Sequence, residues 1–139
     1  MADAPTFPPA LQRFVALFNA GRCFESHEVL ERAWAKNRSP FYKGLIIYAS
    51  AFVHLQRGND RGVVKQLGKV PRYLSAYRPC YLGLDVAAIL AHAARVRRDG
   101  EARGVRGLSA PPPLVLRASL CAGTEAELEQ ADGWDGERG

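Results

Sequence analysis

His27, Glu28 and Glu31 fall, with Phe24 before them and Trp34 after, at i, i+3, i+4, i+7 and i+10 of one helical face. Imidazole and carboxylate groups side by side are the side chains of proton transfer and of nitrogen/oxygen metal coordination. The spacing is that of a core stripe, with large aromatics at its ends and charge in its middle. Val29, Leu30 and Ala33 form a second apolar patch on another side of the same helix. His27, Glu28 and Glu31 are therefore expected to be half-buried, and a buried carboxylate needs a partner. The following helix offers partners along its only polar line, Lys43, Ser50, His54 and Arg57. Short-linked helices pack as antiparallel neighbours. The expected site is thus His27, Glu28 and Glu31 facing Lys43, Ser50 and His54.

Two classes of function fit such a site. In the first, the cluster is a structural polar network that sets how helix two sits on helix three, and the protein is a binding or scaffold module for a small molecule or a protein. This reading is favoured. In the second, the protein is a hydrolase-like enzyme. His27, Glu31 and His54 would hold zinc, manganese or iron, and a metal-bound water would attack with a spare carboxylate as base. Glu28, Glu31 and His27 would then be the catalytic groups, with Lys43 as an anion clamp. The motif reads H-E-x-x-E rather than H-E-x-x-H, and Lys43 would compete with a cation for the same carboxylates. Cys23 lies four residues before His27 but is expected to be a buried thiol. Nucleic acid is a third candidate partner, through Arg57, Arg61, Lys65, Lys69, Arg72 and Arg78. Only Tyr73 and Tyr77 are interleaved as stacking rings, so a solvated charged face is the stronger account.

The run Phe24-Glu25-Ser26-His27-Glu28-Val29-Leu30-Glu31, followed by Trp34, resembles the F-E-x-H-E-x-L-E-x-x-W signature of domain-of-unknown-function family 309. The segments Phe41–Ile46, His54–Asn59 and Gly83–Val86 resemble further blocks of that family. The resemblance covers about residues 14 to 97 and implies a small all-helical protein without implying an activity. The signature positions map to Glu25, His27, Glu28, Glu31, Trp34, Lys43, His54 and Asp85. Ser26, Gly68 and Pro71 depart from the pattern.

These residues need helices to position them. Leu11, Phe14, Val15 and Phe18 give a first amphipathic helix opened by Pro9 and closed by Gly21. Phe24 to Lys36 is the second, and Ser39-Pro40 caps a third that runs to Gly58 and is apolar almost all round. Asn59 or Asp60 caps a fourth helix, whose apolar positions Val63, Leu67, Val70 and Leu74 continue across Pro71, where a kink is expected. Asp85 caps a fifth, with Val86, Ile89, Leu90, Ala93 and Val96 inward, His92 outward, and Arg95, Arg97 and Arg98 closing its C-terminal end. No strand-like alternation is evident.

At 139 residues, the chain is expected to form one domain. With 47% hydrophobic and 24% charged residues it belongs with globular rather than disordered or membrane-embedded proteins. The expected organisation is an all-α array of about five helices over residues 1–98 and a flexible Gly/Pro-rich tail over 99–139. Fifteen basic and six acidic residues precede position 99, and four basic and eight acidic follow, so an acidic tail adjoins a basic body. Thr124 and Glu127 stand in capping-box register, and Trp134 has no core to join. Three cysteines without a C-x-x-C pair suggest reduced thiols. With no basic N-terminal leader and no apolar run long enough to span a bilayer, a cytoplasmic location away from membranes is expected.

Overall fold

The computed structural model describes residues 7–104, 108 and 110–117. Five helices follow in order: α1 (Pro9–Asn19), α2 (Cys23–Asn37), α3 (Pro40–Gln56), α4 (Asp60–Leu74) and α5 (Val86–Arg103). The expected all-α array is present. A 3₁₀ turn, Ser75–Tyr77, extends α4, and two short antiparallel strands, β1 (Cys80–Tyr81) and β2 (Leu84–Asp85), lead into α5. Two residues per strand are too few to produce a legible alternation. Leu82 and Gly83 between them both have positive φ (48° and 84°), the pattern of a tight hairpin turn. A methyl group on Gly83 would also come within 2.4 Å of the Phe7 ring.

The helix starts follow local chemistry. Ser39 accepts a hydrogen bond from the Tyr42 N–H, Asn59 from Gly62 and Asp85 from Ala88, each satisfying an otherwise orphaned donor. Arg38, in the left-handed conformation, ends α2, and only Arg38 and Ser39 separate it from α3. α4 passes through Pro71, whose ring is exposed, and continues to Leu74. α5 does not stop at its arginines. It continues to Arg103 because Val96 and Gly100 are both buried, and Gly100 lets Val64 of α4 approach closely.

α3 is the centre, with eleven buried residues. It packs against α2 and α4, and α4 packs against α5. From α1, Phe18 stacks on Tyr48 (5.7 Å) and meets Phe52 edge-on (6.0 Å), contacts that add to simple burial. Residues 110–117 form a strap that lies against the core. Asn19 clamps the Leu114 backbone, its Nδ2 donating to the Leu114 carbonyl and its Oδ1 accepting from the Leu114 N–H, both at 2.7 Å. The Arg117 N–H donates to the Gly83 carbonyl at 2.9 Å, and the Leu114 side chain is buried. Among the described residues, packing against the core continues past residue 98, at Gly100 and Leu114. The expectations for Cys121, Thr124, Glu127 and Trp134 lie outside the described residues.

α3 and α4 approach most closely at Gly44, where an added Cβ would lie 2.4 Å from Leu74 Cδ2 and 3.0 Å from Tyr73 Cβ. Gly44→Ala gains about 1 kcal/mol in helix propensity but overpacks this contact at a cost of about 1–3 kcal/mol. A net loss of up to about 2 kcal/mol in urea unfolding is expected, and greater stability would mean that the contact can spread.

Candidate functional site

The side of α2 turned to the core is Cys23, Ser26, Val29, Leu30 and Ala33. It lies one residue, about 100°, away from the face expected. Three of these side chains are small, which lets α2 lie close to its neighbours and makes the face faint in a hydrophobic pattern. Ser26 is buried without an unmet bond because its hydroxyl donates to the Cys23 carbonyl at 2.8 Å. Glu28 and Glu31 are consequently exposed, a correction to their expected half-burial, and only His27 is half-buried.

The polar lines of α2 and α3 do run alongside each other, and contact occurs at their ends. At one end Lys43 Nζ lies 4.5 Å from the Trp34 ring centre, with the Arg38 guanidinium 4.4 Å from it. At the other, the Arg57 guanidinium stands 5.4 Å from the Phe24 ring. Such cation–ring contacts are worth about 0.5–1 kcal/mol at exposed sites. The aromatics that resembled core anchors are thus outer or half-buried rings partnered by cations.

The middle of the line does not assemble as expected. Lys43 makes no ion pair with Glu28 or Glu31 among the described residues, and Ser50 donates within its own helix to Ile47. His54 pairs through Nδ1 with Asn59 Nδ2 at 3.0 Å and lies against Gly62, holding the corner between α3 and α4. His27 has one near partner, Glu31, at 3.6 Å, while its Nδ1 is enclosed without a hydrogen bond. Among the described residues, no group of three His, Cys, Asp or Glu side chains is placed to hold a metal ion. The set His27, Glu31 and His54 is therefore not brought together. The outer face is instead a ridge: Phe24 stacks on His27 (6.2 Å), and Glu28, Glu31, Arg32 and Ala35 line a shallow depression of about 290 Å³. On α4, Arg61, Lys65 and Arg72 are exposed.

A second site lies on the other side of α3. Tyr48 and His92 are buried, with Tyr48 Oη 2.7 Å from His92 Nδ1. Burial holds the phenol far above its usual pKa. Burial, reinforced by the nearby Arg95 cation, holds the imidazole below its own usual value. The pair faces a cavity of about 490 Å³ walled by α5, the start of β2 and the strap. The outward placement of His92 is corrected here. Ile89, His92, Ala93, Val96 and Gly100 form one buried stripe, and helical spacing from Ile89 could have placed His92 on it.

Of the cysteines, Cys23 is a free buried thiol whose pKa is raised by burial. Cys80 is disulfide-bonded, against the expectation of three reduced thiols. An odd count leaves one thiol over but does not forbid a pair. No described helix is long and apolar enough to cross a membrane.

A buried central helix wrapped by four others, one of which carries an aromatic and acidic ridge, defines a small all-helical domain. Residues 11–66 match the model of the family described as a domain of unknown function, DUF309. No curated protein matches the sequence.

Tyr48→Phe removes the one partner of His92 Nδ1 and is expected to cost about 1–3 kcal/mol. The folded imidazole has the lower pKa, so below about 6.5 the unfolded chain takes up the proton first. Stability from this group is complete above that pH and is lost as the pH falls toward the folded value. Urea titrations from neutral to mildly acid pH should show this decline in the wild type and not in His92→Gln.

Proposed function

We propose that the domain is a recognition module that holds a segment of a partner protein against the outer ridge of α2. The observation that supports this reading is Phe24, a large aromatic left 47% exposed in the middle of a chemically continuous surface. A single exposed ring is ordinary. This one is joined to His27 and Arg57 and precedes two exposed carboxylates that form no ion pair with a lysine or arginine among the described residues, although Arg32 lines the same depression. The complementary segment carries an apolar side chain to cover Phe24 and a lysine or arginine to meet Glu28 and Glu31. Apolar anchors with a charged border are the usual composition of a protein-recognition surface.

If the ridge serves recognition, the fold does not depend on it. Glu31→Ala should then change stability by less than about 0.5 kcal/mol in urea unfolding, as for surface substitutions generally. A loss of about 3–5 kcal/mol would instead assign Glu31 to a structural network. Random peptides selected on the wild-type protein should combine basic and apolar residues. Their binding should weaken at least about tenfold in the triple variant Phe24→Ala, Glu28→Ala, Glu31→Ala. Selected peptides that bind the triple variant equally well would overturn the reading.

A further inference from the structure

The cavity under the strap is walled mainly by apolar side chains, among them Ile89, Pro113 and Leu114, and four polar groups line it: Tyr48, His92, Asp85 and Arg117. A compact apolar cavity with a few convergent polar groups is the usual form of a small-molecule site. The hydrogen-bonding state of its buried pair defines what it offers. Tyr48 keeps its proton, and among the described residues its hydroxyl has only His92 Nδ1 to give it to. With Tyr48 as the donor, Nδ1 accepts and the neutral imidazole carries its own proton on Nε2. Nε2 has no hydrogen-bond partner among the described residues, and His92 is one of the side chains lining the cavity.

We propose that this cavity binds a small organic acid with an apolar body, its carboxylate accepting from His92 Nε2 and neutralised by Arg117. An N–H donor at the buried end selects an acceptor and offers nothing to an ammonium. Among the described residues, Arg117 is the only Lys or Arg in the lining and Asp85 the only carboxylate. Asp85 is exposed, and its Oδ1 already accepts from the Ala88 N–H at the start of α5. Its repulsion of a bound anion is offset by the Arg117 cation in the same lining. Arg117 is set by its own backbone bond to Gly83, so the strap that closes the cavity also delivers the charge. The site is separate from the α2 ridge and stands without it.

The test uses the full chain with three probes of one length: octanoate, octanamide and octylamine. Calorimetric titration at neutral pH should show saturable octanoate binding at least about tenfold tighter than octylamine, with octanamide between them, since a charge-assisted bond outweighs a neutral one. Octanoate should shift one of the three histidine ring signals in the proton NMR spectrum, and that signal should be the one missing from His92→Gln. Arg117 is exposed, so Arg117→Ala is expected to keep the fold by circular dichroism and to lose about tenfold in octanoate affinity. Absence of saturable octanoate binding, octylamine binding as tightly as octanoate, or unchanged affinity in folded Arg117→Ala would each overturn the proposal.

Discussion

A helix that is apolar almost all round can exist in water only if other elements surround it. α3 imposes that requirement on the chain. Tyr42, Leu45, Tyr48, Ala49 and Phe52 have almost no contact with solvent, and they belong to different sides of the helix. α1 covers the aromatic side through Phe18, α2 and α4 lie against its flanks, and α5 reaches it through His92. The short connection at Ser39 and Gly44's close approach to Leu74 serve this enclosure. So does the strap, which brings Leu114 into the same core.

Both chemical features of the molecule are side effects of how α3 is covered. The buried side of α2 combines the small Cys23, Ser26 and Ala33 with Val29 and Leu30, and the aromatic and charged residues are turned outward. Lys43 and Arg57, at the two ends of α3, then settle over the rings of Trp34 and Phe24. Where α5 lies against it, cover is incomplete, and Tyr48 meets His92 at the edge of a space that the strap only partly fills. One buried rod thus separates an acidic, aromatic ridge from a mostly apolar cavity.

Helix positions were largely legible because proline, cap residues and long apolar spacing each point to the same boundaries. Ser39-Pro40, Asn59 and Asp85 begin their helices as read. The facing of α2 was not legible. Phe24 and Trp34 outweigh Cys23, Ser26 and Ala33 in any hydrophobic pattern, yet the small residues allow the closer contact and so take the inner side. Cation–ring pairing is equally hidden, because it joins residues on two helices whose relative rotation is set by that packing. His92 was legible and misread, since its spacing from Ile89 is that of the buried face. The strap was hidden for another reason. It is held mainly through backbone atoms, and a sequence shows side chains.

That last property separates attachment from content. Asn19 grips the peptide group of Leu114, and Gly83 grips that of Arg117, so neither grip reads the side chains around them. Pro112, Pro113, Val115 and Arg117 are therefore interchangeable as far as anchoring is concerned, while each contributes to the wall they share. Selectivity at that wall can be revised one residue at a time without undoing its fastening, much as a lock is rekeyed while its housing stays bolted in place.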